Sequence, residues 1–429
     1  MKITSTFSLV MLLSVNAVAI TQTELVDRLQ STHPFFTQLD YDQQTVELDY
    51  VATTANQDWT LTGSLDSTNT ANNQTSSGSV GLTHNLTNTG ADIVVSNSWS
   101  DGSATDKITL NYTQPLLKNS KGVNDQLAGD LSTIRIDINK LKRYQGAEKF
   151  ILSQLFKLVD LSFAQQQLTL SARRLELASQ ELALVKDKFS QSVVDQIDVF
   201  LQEDAYQRAL QKQLQAEQTL DLLKEELSVT LNMRSNSIIS DYDLYKMHAF
   251  DLGNLRHYLN GVTEMKTLKL ERDLLQRQLL SDKSNAQAQL DLKLGVSNEN
   301  DNDWNVGLGL SYPIGDTKAK ALLNKTQVSL SKTKEAAEEQ LIELTVEAGV
   351  LKKKLTHLQK LLNTYQARIE IANSRALAEK ERYNLGNSQM SFVISAQNNV
   401  HEVNLAYAQA AVSYQKSVLE FKAVIDQLL

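Results

Sequence analysis

Apolar and polar residues alternate strictly in two short runs of the second half of the chain. Leu290, Leu292, Leu294 and Val296 alternate with Asp291, Lys293, Gly295 and Ser297; Trp304, Val306, Leu308, Leu310 and Tyr312 alternate with Asn305, Gly307, Gly309 and Ser311. A period of two predicts strands with one apolar face, and the polar run Asn298 to Asp303 predicts their connection. The same alternation marks Trp59, Leu61 and Leu65, then Val80, Leu82 and Leu86, then Ile93, Val95 and Trp99, then Ile108, Leu110 and Tyr112. Thr68 to Gly78, rich in Ser, Thr, Asn and Gln, reads as a loop, and Thr87-Asn88-Thr89-Gly90 as a turn. A soluble sheet with one buried face alternates too. Here the polar set is mostly Gly, Ser, Thr and Asn with few charges, the runs approach the ~9–11 residues of a membrane strand, and Trp304 and Tyr312 fit interfacial girdles. These features favour a membrane barrel. Two strands in one half and two or four in the other cannot enclose a pore, so closure requires several chains.

Elsewhere the period changes to that of helices. Leu168, Ser171, Leu175, Ala178, Leu182, Val185 and Phe189 follow 3,4 spacing, as do Leu362, Tyr365, Ile369, Ala372, Ala376, Glu379 and Tyr383. The last stretch continues it through Val393, Ala396, Val400, Val403, Tyr407, Ala410, Tyr414, Ser417, Phe421, Val424 and Leu428. This is coiled-coil periodicity. Only Pro34, Pro115 and Pro313 interrupt the chain, so residues 120–190 and 317–384 are free to form helices of roughly 100 Å at ~1.5 Å per residue. The breaks Ser190–Ile197 and Leu385–Ser391 read as the far tips of two helical hairpins.

The chain repeats itself. Lys188-Phe189-Ser190-Gln191-Ser192, leading into Ile197-Asp198-Val199, recurs 194 residues later as Arg382-Tyr383-Asn384-Leu385-Gly386, leading into Ser391-Phe392-Val393. Tyr112-Thr113-Gln114-Pro115 and Tyr312-Pro313 each close a strand run. A long internal period predicts a duplicated architecture in which neither half closes a core alone. The expected division is a signal peptide at 1–19, a first repeat at 20–235 with its tip near 190–197, and a second at 236–429 with its tip near 385–391.

The leader follows from Lys2, the apolar stretch Phe7 to Leu13 and the small-residue site Ala17-Val18-Ala19. Loss of Lys2 takes the formal net charge from -8 to -9. The absence of cysteine excludes disulfides and thiolate metal sites, and the acidic balance argues against nucleic acid. No H-E-x-x-H, G-x-S-x-G or P-loop occurs, and the six histidines lack ligand spacing. Neither an enzyme nor a cofactor is expected.

In Leu110 to Leu117, Leu310 to Gly315, His33-Pro34, Ala55-Asn56-Gln57 and the two tip phrases, the chain resembles TolC-type outer-membrane channels of efflux and type I secretion. The resemblance covers essentially the whole mature chain. It implies an α+β membrane protein: a trimeric β-barrel, with at least four strands per chain, continuous with a long α-helical periplasmic barrel of coiled-coil hairpins. It implies a homotrimer in the outer membrane of a Gram-negative cell, contacting outer-membrane lipid and reaching into the periplasm. A periplasmic adaptor and an inner-membrane transporter would be its partners, and passive export of drugs, small molecules or polypeptides its function. The other reading is a periplasmic adaptor or scaffold without a pore. The family's barrel usually takes four strands per chain, and the extra hairpin Ser79–Trp99 either adds two or folds as an elaborated loop.

The resemblance also assigns roles at the tips. Asp198 and Tyr383 match a latch in which the hydroxyl donates to the carboxylate; the bland alternative is that Asp198 caps its helix. Ser388 stands where a basic residue sometimes completes that latch. Phe392 and Ser395 stand where an acidic ring sometimes selects cations, so Phe392 would form an apolar constriction, with Asp195 a substitute acid. Gly386 marks the tip turn, and Pro115 and Pro313 mark the strand-to-helix transitions.

Overall fold

The computed structural model describes residues 18–70, 73–101, 106–250, 253–298 and 303–429; most of the expected leader, residues 1–17, lies outside them. The elements run β1 (Val18–Ile20), α1 (Gln22–Thr32), α2 (Pro34–Thr53), β2 (Thr60–Thr70), β3 (Asn73–Leu86), β4 (Ala91–Ser100), β5 (Lys107–Pro115), α3 (Leu127–Ser190) and α4 (Gln196–Leu231). They continue with β6 (Ile238–Ser240), α5 (Leu255–Leu259), α6 (Thr263–Asn285), β7 (Gln289–Ser297), β8 (Asp303–Ser311), α7 (Thr317–Asn384) and α8 (Met390–Val424). No helix among the described residues is long and apolar enough to cross a membrane.

The chain divides into two compact units, each drawing on both halves of the sequence. One comprises Met1–Thr37, Gly146–Leu255 and Leu344–Leu429; the other comprises Gln38–Gln145 and Arg256–Glu343. The second unit holds an antiparallel sheet in the order β2-β3-β4-β5-β7-β8. The Ser79–Trp99 hairpin therefore joins the sheet as parts of β3 and β4. Register aligns the apolar positions into rows: Leu61, Leu82, Val95, Leu110, Val296 and Trp304 are successive partners across all six strands. The neighbouring row is Thr60, Thr83, Val94, Asn111, Gly295 and Asn305. One face is thus apolar and the other mostly polar or glycine, as period-two side chains require once register is set. The apolar face is bare: Leu61 is 69% exposed, Leu308 70% and Trp304 75%. Among the described residues β2 and β8 each pair on one side only.

The stretch Thr68 to Gly78 is not the loop that its composition predicts. β2 continues to Thr70 and β3 starts at Asn73, with Thr68 opposite Thr75 and Ser67 opposite Ser76. Threonine favours strands, and cross-strand hydroxyl pairs support a sheet without apolar side chains. The long helix expected from about residue 120 starts at Leu127. Before it, Asn119, Lys121 and Gly122 hold φ of 61°, 61° and 65°. A Cβ on Gly122 would lie 1.6 Å from the Thr87 carbonyl oxygen, so only glycine lets this segment meet the turn after β3. Arg277 of α6 ties the start of α3 in place, its Nε 2.5 Å from Asp130 Oδ2 and its Nη2 donating to Val123 O at 2.6 Å.

The other unit packs the remaining lengths of α3 and α7 with α4 and α8. Its core includes Ile151, Leu155, Leu158 and Leu161 of α3 and Tyr414 and Phe421 of α8, all at most 2% exposed. Most of the seam positions expected from Val393 to Leu428 are buried, although α8 ends at Val424, before Leu428. The extended segment after β6 straps onto α8: Gln415 Nε2 donates to Leu244 O at 2.9 Å and to Lys246 O at 2.7 Å. β1 pairs in parallel with β6, and Ile20 is fully buried.

Candidate functional site at the hairpin tips

The two helical hairpins turn by the same device. Ser192 N–H donates to Phe189 O and Val193 N–H to Lys188 O, both at 2.9 Å. Their counterparts 194 residues on are Gly386 N–H to Tyr383 O at 3.0 Å and Asn387 N–H to Arg382 O at 2.8 Å. This bond pair ends a helix on a left-handed residue. Gly386 takes φ of 77° at little steric cost, whereas Ser192 takes 59° despite its Cβ. The return helices also start alike, with Asp198 N–H donating to Asp195 O and Phe392 N–H to Gln389 O, both at 3.1 Å.

Asp195, not Asp198, is the N-cap of α4, and its side chain makes no capping hydrogen bond. Asp198 lies in the first turn, where the positive end of the helix dipole favours a carboxylate. Behind these turns Val185, Val199, Met390 and Val393 form an apolar cluster, with Val194, Tyr383 and Ile394 packed against it. The cluster thus joins all four tip helices. Lys188 Nζ sits 4.6 Å from the Tyr383 ring centroid and donates to Asn384 Oδ1 at 3.4 Å.

The Tyr383 hydroxyl is buried and has no hydrogen-bond partner among the described residues. The single chain therefore does not make the expected hydroxyl–carboxylate bond. Burial raises the hydroxyl pKa, and the charge of Asp198 raises it further. Ser388 Oγ donates to Glu379 Oε2 at 2.9 Å, while Arg382 reaches Glu379 and the Asn387 carbonyl, both at 3.4 Å. Ser388 thus staples its own turn. Phe392 is 52% exposed and, with Gly386 and Ser388, lines an open cavity of about 390 Å³. Asp195 and Ser395 are exposed. Pro115 closes β5 opposite Asp291, and Leu116 N–H still donates across to Leu290 O at 2.7 Å; Pro313 follows β8 ahead of Gly315, whose φ is 95°, and a residue without N–H gives the ladder no donor.

Hydrophobic spacing alone misses a buried polar set behind the tip cluster. The buried seam of α3 runs Ser171, Arg174, Ala178, Glu181 and Val185, passing through two charges where apolar periodicity favours Leu175 and Leu182. Glu181 accepts from Gln202 Nε2 at 3.3 Å and from Gln397 Nε2, and Lys380 Nζ lies 3.7 Å away. The 3,4,3,4 spacing was the available signal, obscured by the side chains that occupy it.

A sheet with one bare apolar face and free edges, carried in one chain with two long helical hairpins, is the architecture of outer-membrane channels. The chain aligns with CusC, whose structures concern transmembrane channel formation, at TM-score 0.76 and 10% identity, over 95% of this chain and 92% of that one. It aligns with the open-state MtrE channel of Neisseria gonorrhoeae at 0.72 and 12%, over 97% and 93%. It aligns with VceC of Vibrio cholerae at 0.70 and 10%, over 95% of each chain. No family model matches the sequence, and no curated protein does. At such identities the likeness lies in the fold, which is that of the TolC-type channels.

Proposed function

We propose that this chain forms an outer-membrane exit duct that conducts substrates passively out of a Gram-negative cell. Its partners in a tripartite export system would be an inner-membrane transporter and a periplasmic adaptor. The observation that carries this reading is the amphipathic sheet, whose bare apolar face needs lipid and whose edge strands β2 and β8 need partners. An unpaired edge is not tolerated in hydrocarbon, so copies of the chain must close the sheet. Three copies of six strands make eighteen, against the twelve of the usual four-stranded contribution. Barrel diameter grows roughly linearly with strand number, so this duct would be about half again as wide at the membrane.

The tips would be the gate. The buried, unpartnered Tyr383 hydroxyl is next to a charged neighbour, Asp198. Leaving such a group unsatisfied costs about 1–3 kcal/mol, which a bond to the carboxylate would recover. Three such latches would bias a closed state that a docking partner overrides. The exposed Phe392 ring would narrow the entrance by excluding water. Planar-bilayer conductance of the purified protein tests both parts. A small wild-type conductance that rises in Asp198→Ala and in Tyr383→Phe is the expected result. Equal conductance in all three would keep the duct and remove the latch. Silence from an inserted, trimeric protein would sink the duct reading in favour of a poreless scaffold.

A further inference from the structure

Arg174 is only 5% exposed, and the tip gate makes no use of it. Its Nε donates to Asn398 Oδ1 at 3.2 Å, but Nη1 and Nη2 have no acceptor among the described residues. His401, also 5% exposed, leaves Nε2 without a partner among the described residues. Both residues line a cavity of about 430 Å³ between α3, α7 and α8. Arg173 and Lys380 line it as well, and no carboxylate is among its described lining residues. A buried guanidinium with unmet donors is costly, and the cost is removed by a matching acceptor. Glu181 does not supply it: that carboxylate is engaged with Gln202, Gln397 and Lys380.

We infer that this cavity binds a small oxyanion: inorganic phosphate, sulfate or a free carboxylate. The guanidinium fork matches two oxygens of such a group. Arg173 and Lys380 add positive charge to the lining. The cavity is ample for an ion of that size. The site lies close to the tip core in sequence, Gln397 following Val393 and Glu181 preceding Val185 by four residues each. Its occupancy is independent of whether the chain forms a duct.

Equilibrium dialysis of the detergent-solubilised full chain against labelled inorganic phosphate, at fixed ionic strength in chloride, tests the assignment. Saturable binding at one site per chain is expected. Arg174→Gln should weaken it at least tenfold and Lys380→Gln several-fold, while Arg143→Gln, at an exposed cation of the other unit, should leave it unchanged. If Arg174→Gln does not fold, Lys380→Gln decides alone. Absence of saturable binding to the wild type overturns the proposal, as does binding that the variants retain in full. A wild type that ignores phosphate but loses its oligomer on Arg174→Gln would assign the cavity to a carboxylate of a neighbouring copy, and would overturn the proposal equally.

Discussion

Ser192 and Gly386 occupy one backbone position in two copies of the same turn, at φ of 59° and 77°. The left-handed region costs a residue with a Cβ roughly 1–2 kcal/mol, and part of that returns as unfolded-chain entropy when glycine replaces it. Ser192→Gly is therefore expected to stabilise the chain by about 0.5–1 kcal/mol, read as a higher unfolding midpoint; a lower midpoint would show that the serine hydroxyl makes up for its backbone. His401 carries a pH dependence. Its pKa lies below the ordinary value, chiefly through burial, with Lys212 and Arg174 acting in the same direction and Glu402 and a Leu170 backbone bond opposing them. The folded chain then binds fewer protons than the unfolded one, so this stability is complete above about pH 6.5 and is lost as pH falls below it. His401→Gln should flatten the acid-side fall of the melting temperature; an unchanged slope would point to another group. Gly386 was legible in the sequence because glycine after a helical pattern predicts this turn. Arg174 and Glu181 were not, because charge argues against burial until the partners are seen.

Among the elements, the strands are the most predictable. Alternation alone places Leu110 on one face and Asn111 on the other, and the register extends both assignments across the whole sheet. Leu110→Arg is expected to cost about 2–4 kcal/mol in a bilayer and to abolish insertion into lipid vesicles. Asn111→Lys, one residue on, should insert normally; equal behaviour of the two would mean that neither face meets lipid. The β2–β3 hairpin was harder to read. From Thr68 to Gly78 no apolar side chain alternates, and its strand pairing rests on backbone bonds and hydroxyls that composition reads as loop. The long helices were legible from missing proline and steady 3,4 spacing. The start of α3 was not, because the left-handed turn at Asn119 and Lys121 is imposed by the docking of Gly122 on Thr87.

For the whole molecule, the six strands that the described residues give to the large sheet set the expectation. Native mass measurement should find three copies, and imaging down the barrel axis should show a threefold ring about half again as wide as a twelve-stranded one. A ring of twelve-stranded width would mean that β2 and β3 leave the barrel. By itself the sequence determined the long helices, the strands whose apolar residues alternate, which face of those strands is apolar, and that the tip phrases recur at a fixed offset, because these follow from local periodicity and a self-match. Only the tertiary structure decided that the Ser79–Trp99 hairpin enters the sheet, that Asp195 rather than Asp198 stands at the N-cap position of α4, that the Tyr383 hydroxyl is left unpartnered, and that Arg174 and Glu181 lie in a seam. Each depends on which residues distant in sequence come within hydrogen-bonding or packing range, and periodicity carries no information about that.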